Sequence, residues 1–528
     1  MAPVIGKFKA AFNSWIAYSA GLRHLFHKPY TLKFPQQRYA VEAGFRGRHL
    51  LHLDRCTGCG ICAWICPEKC ITIVQRGDRW FPQYFYGRCC FCHFCVTPDT
   101  LVTTNPSVTP IGLVQVGDRV LTHTGRYQKV RQVLTRNYSG KLYSIKPLGA
   151  PYPLKVTEDH PLLVAPRKLV KKGRLEKKPG NLAWKTPAEL NRGDYLTMPI
   201  MKEIRDTDVY EQNVVVGQPS TGKRLVRKLR LKAEPDLFRL IGYYLAEGHI
   251  TKRTLGLTFG EHETEYITDS ARLLEKFFGP TKRSAIHNSV QVLLHSVVAL
   301  QFFENFGRGA ENKRIPDWAM FAPIEKQREL VKGAWRGDGY LHTPTKGNRA
   351  SFFEYVTVSK TLALQIQQIL FRLGIVGQVA DTQHRNRKPA FIVTVRGRFV
   401  AAMAELMQIR FEDSRTKSFS HFEIDDKYVY APVRSITSSF VDKQPVVNLS
   451  VEEDESYVAG NVTAHNCTDY CPEFALEETV EYDIAEYSRE LLVWSPERLA
   501  RPPVKKEDKY VFSVDGPRGA SQVPEQGH

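Results

Sequence analysis

The chain is 528 residues long, 42% hydrophobic and 24% charged, with 74 lysines and arginines against 55 acids and a formal net charge of +19. That length allows three or more domains with separate cores, and no run approaches the roughly eighteen consecutive apolar residues of a membrane-spanning helix, so no transmembrane segment is expected. The basic surplus suits a solvated surface or a polyanionic partner such as DNA, and charge alone does not choose. All eleven cysteines fall between 56 and 95 or at 467 and 471. Their C-x2-C spacings point to metal ligation in a reducing compartment, not to a disulfide framework.

In chain order, the first 27 residues set Ile5, Phe8, Phe12, Trp15 and Ile16 among lysines and small residues. This suits a basic amphipathic helix lying on a membrane or a partner subunit, or a surface helix packed on its own domain. No secretory cleavage pattern follows. Cys56-x2-Cys59-x2-Cys62-x3-Cys66-Pro67 is then a complete cubane motif, with Gly58 and Gly60 letting the backbone curl tightly. A second motif starts at Cys89 and Cys92 and stops after Phe94; its end appears far downstream as Cys467-x3-Cys471-Pro472. Joining Phe94 to Cys467 restores the ferredoxin spacing. In two-cluster folds the fourth cysteine of each motif serves the other cluster. One 4Fe–4S cluster is therefore assigned Cys56, Cys59, Cys62 and Cys471, and the other Cys89, Cys92, Cys467 and Cys66. A structural zinc site is the alternative, and Cys70 and Cys90 are left over.

The stretches LRHLFHKPYTLKFP, FRGRHLLHLDRCTGCGICAWICP and ALEETVEYDIAEYSRELLVWSPERL resemble subunit I of NADH-quinone oxidoreductase and its membrane-bound hydrogenase relatives. The likeness covers residues 1–94 and 467 to about 500. It implies an electron wire of two 4Fe–4S clusters, with the other subunits of a membrane-bound oxidoreductase complex as partners. It also implies a cytoplasmic location, peripheral on that face of the membrane.

Cys95 to Asn466 is 372 residues, beginning CVTPDTLVTT and ending VTAHNC. These borders resemble those of an intein. Cys95 offers a thiol that can attack the Phe94 carbonyl and turn an amide into a thioester. VTEDHPLLV matches the family's T-x-x-H block, which implies that His160 protonates the departing nitrogen of Cys95 while Thr157 orients it. Cys467 then takes the acyl group, Asn466 cyclises through its side-chain nitrogen with His465 assisting, and an S-to-N shift makes the Phe94–Cys467 peptide. The family often has an acid where this chain has Asn448, and a histidine where it has Glu455; both bear on branch resolution.

A splicing domain needs only about 130–150 residues, within the usual size of one domain. The surplus carries LFRLIGYYLAEGHI at 237–250 and ELVKGAWRGDGYL at 329–341, which resemble the paired LAGLIDADG motifs of homing endonucleases. Their acids are Glu247 and Asp338, and Gly242 and Gly333 each lie five residues before the acid. Small residues on one face let two helices pack closely and deliver both carboxylates to one point, where they can bind Mg. KRIP at 313–316 matches a family block that implies Lys313 as a charge stabiliser, and 359–375 reads as an amphipathic helix. Ordinary amphipathic helices are the bland alternative. Basic stretches at 168–180, 222–232 and 383–398 suit phosphate contacts with double-stranded DNA, or solvated linkers.

The expected architecture is α+β and multidomain: a two-cluster ferredoxin-like host (1–94 and 467–528) split by a β-rich Hint splicing domain (95–232 and 413–466) carrying an α/β LAGLIDADG endonuclease (233–412). Splicing would release the 372-residue segment and a 156-residue electron-transfer subunit. The competing expectations are a permanently fused iron–sulfur protein, with Cys95 as a cluster ligand, and a free ferredoxin.

Overall fold

The computed structural model describes residues 37–39, 48–66, 69–88, 95–104, 107–167, 169–170, 174–175, 178–217, 225–343, 350–382, 389–412, 420–466, 475–479, 484, 486–502 and 509–512. The expected N-terminal helix, Cys89, Cys90, Cys92, Phe94, Cys467, Cys471 and parts of the three basic stretches lie outside the described residues. Among those described, no helix is long and apolar enough to cross a membrane. The chain forms two compact units, one of residues 1–91 with 470–528 and one of residues 92–469.

The first unit is ferredoxin-like in scale and content. A hairpin of Ile71–Arg76 and Arg79–Phe85 turns at Gly77 and gains Val493–Trp494 as a third strand. His49–Leu51 pairs with Leu476–Glu478, so segments from both ends of the chain complete one another. Leu51, Ile71, Phe81, Tyr84, Trp494 and Leu499 are buried together with Cys56, Cys62 and Cys70.

The second unit has a β-rich body built on two long strands, β1 (Tyr127–Pro147) and, almost 300 residues later, β4 (Tyr428–Val451). They pair antiparallel from Val130↔Val451 to Pro147↔Val433 with three register shifts. The burial of β4 explains its length: both ends, YVYAPV and VVNLSV, are buried, while the middle is largely exposed. β2 (Leu154–Thr157) adds to β1, and β3 (Leu162–Ala165) pairs with Tyr195–Pro199. A hairpin of β5 (Ser456–Ala459) and β6 (Val462–His465) joins the sheet through Leu162↔Ala464 and Ala459↔Val102. Val96 bridges Val156 and Val447 at once, which fixes the start of the segment beside the strand leading to its end.

Within the remainder of this unit one motif occurs twice. Helix α1 (Pro235–Glu247) leads to a sheet of Gly248–Ile250, Leu255–Gly260, Lys282–Ile286 and Ser289–Leu294. Helix α2 (Ile324–Asp338) leads to Gly339–His342, Phe352–Thr357, Gly377–Thr382 and Ala390–Val395. Both sheets are antiparallel with spatial order first, second, fourth, third. α3 (Lys360–Arg372) fills the crossover of the second copy, capped by Ser359, whose side chain accepts from the Leu362 amide. The expected helix forms, but its polar side is buried too: Leu362 to Phe371 are all buried, including Gln365, Gln367 and Gln368. Gln365 and Gln367 hydrogen-bond the carbonyls of Ile315 and Gly377.

α1 and α2 cross with backbones in contact, because a side chain at either glycine has no room. A Cβ at Gly242 would collide with the Leu330 carbonyl and lie 2.6 Å from the Ala334 nitrogen. One at Gly333 would collide with the Arg239 carbonyl and lie 3.1 Å from the Gly242 Cα. We expect Gly242→Val to force the helices apart at a cost of about 3 kcal/mol, the upper part of the overpacking range. Thermal unfolding of the purified chain checks this; an unchanged midpoint would contradict the contact.

Candidate functional site

Cys95 is buried at the edge of the β body and gripped on both sides by Thr157. The Cys95 amide donates to Thr157 Oγ1 at 3.1 Å, and the Cys95 carbonyl accepts from the Thr157 amide at 3.0 Å. Val96 exchanges two backbone hydrogen bonds with Val447, at 2.9 and 2.8 Å. His160 follows one turn later, its amide bonded to the Thr157 carbonyl, and is fully buried. Burial pushes its imidazole down to about 3, against hydrogen bonding to the Cys95 backbone, which acts upward. His160 is therefore a neutral ring at ordinary pH, able to donate one N–H without carrying charge into the core.

At the other end of the segment, His465 and Asn466 are buried on and just after β6. His465 Nδ1 lies 2.9 Å from the Asn466 carbonyl oxygen, where an Nδ1–H tautomer would polarise that carbonyl. The Asn466 amide donates to the Glu455 carbonyl at 3.0 Å, and its side-chain nitrogen to the Val451 carbonyl at 3.4 Å. Burial lowers His465 and raises Glu455. Asn448 is buried in β4, its side-chain oxygen accepting from the Leu449 amide at 2.7 Å. The structure thus brings Cys95, Thr157 and His160 onto one sheet with His465 and Asn466; Cys467 lies outside the described residues.

One neighbour of this site was invisible in the sequence. His123 Nδ1 sits 2.8 Å from Ser456 Oγ, and Ser456 stands directly opposite His465 in the hairpin. The Trp184 ring lies edge-on to both histidines, at 4.8 Å from His465 and 6.2 Å from His123. Nothing in the spacing links positions 123, 184 and 456.

At the crossing of α1 and α2 a second site forms. A Cβ at Gly337 would lie 2.5 Å from the Ala246 Cβ and 2.9 Å from the Glu247 Cγ, so the two helix ends meet at their acids. Burial, then the Asp338 charge, pushes Glu247 up to about 7. Burial likewise raises Asp338 to about 6, against the pull of Lys313. Lys313 is buried beside them and pushed down to about 8, its Nζ donating to the carbonyls of Tyr244 at 2.8 Å and Ala246 at 3.0 Å. α3 holds the lysine in place: Ser359 Oγ donates to the Lys313 carbonyl, and Gln365 bonds both backbone groups of Ile315. Two neighbours were not foreseen: burial and then the Asp338 and Glu247 charges raise Tyr355, while burial and then the Lys313 charge lower His249. Two buried carboxylates that repel one another suit a hard divalent cation, whose charge would relieve both penalties.

In the first unit, Cys56, Cys59 and Cys62 line one small apolar pocket with Ile73, Pro82, Ala475 and Leu476. Gly58 and Gly60 have φ of +73° and +75°, and a Cβ at Gly58 would lie 2.6 Å from the Trp80 carbonyl. Cys66 points elsewhere, its Sγ 3.4 Å from Cys70. Among the described residues no three His, Cys, Asp or Glu side chains are grouped to hold a single ion; a cubane instead takes each thiolate on a separate iron. The donor set fits such a cluster.

Residues 50–72 match the 4Fe-4S binding domain family, and residues 325–408 the LAGLIDADG-like domain family. An iron–sulfur cluster assembly SufBD family protein of Mycobacterium tuberculosis is 30% identical over 412 residues, covering 76% of this chain and 45% of the relative. The ATP-dependent DNA helicase Hel308 of Thermococcus kodakarensis is 29% identical over 413 residues, 70% of this chain and 36% of the helicase. NADH-quinone oxidoreductase subunit I 2 of Geobacter metallireducens is 36% identical over 85 residues, 14% of this chain and 65% of the relative. The chain thus spans less than half the length of the first two. A crystal structure of I-DmoI in complex with DNA and Mn aligns over 34% of this chain and all of that one, at 12% identity and a TM-score of 0.27. The class defined is a mixed α/β chain with a 4Fe–4S binding domain and a LAGLIDADG-type domain.

The raised Glu247 sets a pH dependence. A carboxyl whose folded pKa lies above its unfolded value stabilises the fold below the unfolded value, and that contribution is lost as pH rises through about 7. Glu247→Gln should therefore be more stable than the parent by about 1–3 kcal/mol at pH 8 and no more stable near pH 4. Denaturant titrations at the two pH values check this; an equal effect at both would contradict it.

Proposed function

We propose that the chain is a self-splicing precursor. The Cys95 thiol attacks the Phe94 carbonyl, forming a C–S bond and breaking the C–N bond as the Cys95 amine leaves. The neutral His160 ring relays the proton, taking the thiol's proton at one nitrogen and giving one to the departing nitrogen from the other, and Thr157 holds the amide through Oγ1. The Cys467 thiol displaces Cys95 from the thioester, leaving a branch. Asn466 Nδ2 then attacks its own carbonyl carbon, closing a succinimide and releasing the Cys467 amine, with His465 at the carbonyl oxygen. That amine takes the acyl group from sulfur, because an amide is more stable than a thioester.

The observation that carries this reading is the double bridge of Val96, which seats Cys95 on the sheet whose last strand ends at His465, one residue before Asn466. The comparisons support it from another side. Residues 1–94 and 467–528 are under a third of the chain, so matches spanning 70–76% of it run through the middle segment. Proteins with such different names share that segment, as a mobile insert would require.

The excised segment acts as a DNA endonuclease. Glu247 and Asp338 would hold divalent cations such as Mg, which supply water activation and charge neutralisation at a phosphodiester. Lys313 adds positive charge there, and the basic segments meet phosphates. The joined host holds two 4Fe–4S clusters for one-electron transfer, peripheral on the cytoplasmic face of a membrane-bound oxidoreductase complex.

Expression followed by denaturing electrophoresis tests the splicing: products of 372 and 156 residues are expected, and Cys95→Ala with Asn466→Ala should leave only the full chain. Full-length chain alone from the parent sequence would overturn the reading. Glu247→Gln should abolish cutting of DNA encoding the uninterrupted host while both products still form; loss of splicing in this variant would contradict the separation of the two sites.

A further inference from the structure

α3 belongs to the second LAGLIDADG-type copy, yet one of its glutamines reaches the hairpin that ends in His465 and Asn466. Gln367 is buried, and its Oε1 accepts from Asn461 Nδ2 at 2.8 Å. Asn461 is the apex of the β5–β6 hairpin, with φ +66°, and is itself nearly buried. Gln367 Nε2 meanwhile donates to the Gly149 carbonyl at 3.1 Å and the Gly377 carbonyl at 2.7 Å. Gly149 follows β1 and also receives the Val379 amide. The side chain is therefore locked in one orientation: turning the amide over would set its oxygen against two carbonyls.

We propose that Gln367 is a positioning residue for the downstream scissile bond, so that the LAGLIDADG-type domain is a working part of the splice site. The inference rests on the splicing reading. Four residues of β6 at about 3.3 Å each separate the apex from Asn466. Along that strand, Ala464 pairs with Leu162 and His465 with Ser456, so the apex and the base are ends of one short stiff ribbon. Val458, on the opposite arm, packs in the same core as Leu362, Ile366 and Leu370 of α3. The register of that ribbon decides whether the Asn466 carbonyl meets His465 Nδ1. Cys95 is held independently, by Thr157 and Val447. Loss of the latch should accordingly slow Asn466 cyclisation and spare thioester formation.

The test uses the full chain with Asn461→Gly, Asn461→Asp and Gln367→Met. Glycine tolerates the positive φ and removes only the amide, while aspartate also tolerates it but sets a carboxylate against Gln367 Oε1. Purified chains are followed by electrophoresis for branched and joined species, and by cleavage at Cys95 on addition of dithiothreitol. We expect Asn461→Gly to resolve its branch roughly fivefold more slowly, the worth of one buried hydrogen bond, and Asn461→Asp more slowly still. Dithiothreitol cleavage and DNA cutting should match the parent in both variants. Gln367→Met, which also removes a donor from the Gly149 and Gly377 carbonyls, should accumulate the most branch. A parent that splices while every variant resolves its branch at the parental rate overturns the positioning role alone. A parent that forms neither branch nor joined product overturns the splicing reading and this role together.

Discussion

The pairing of Val96 with both Val156 and Val447 is the constraint on which the architecture of the middle segment depends. A chain that must place residues more than 350 positions apart side by side incurs a large loop-closure entropy, offset here by the long β1–β4 ladder and its buried ends. Once that ladder forms, β6 can lie beside β3 and β5 beside Leu101–Thr103, and the two ends of the segment share one sheet. In the other unit, His49–Leu51 pairs in the same manner with Leu476–Glu478. Each unit thus closes on itself.

Both chemical sites rely on burial in opposite ways. At Cys95, burial keeps His160 neutral, so the ring serves as a hydrogen-bond partner and not as a fixed charge. At the helix crossing, burial makes two carboxylates reluctant to ionise and one lysine reluctant to protonate, which stores an electrostatic demand for a cation. Desolvation is the leading influence in both places, and the neighbours decide what the site can accept.

Much of this was legible in sequence because the signals were local or exactly repeated. The C-x2-C spacing, the paired glycines five residues before Glu247 and Asp338, and T-x-x-H at 157–160 all specify geometry within one turn or one helix. The close approach at Gly242 and Gly333 follows from residue size alone. What the sequence did not disclose are contacts of long separation: His123 with Ser456, Trp184 with His465, and Gln367 with Asn461. α3 shows why. Its polar residues at 365, 367 and 368 look like a solvent face, but all three are buried, and Gln365 and Gln367 meet backbone carbonyls and an asparagine.

The most direct measurement of the central claim is peptide sequencing by mass spectrometry of the mature iron–sulfur protein from cells that naturally make it. A peptide reading from His93-Phe94 straight into Cys467-Thr468-Asp469 is the predicted result. Mature protein in which Phe94 is followed only by Cys95-Val96-Thr97 would contradict the account.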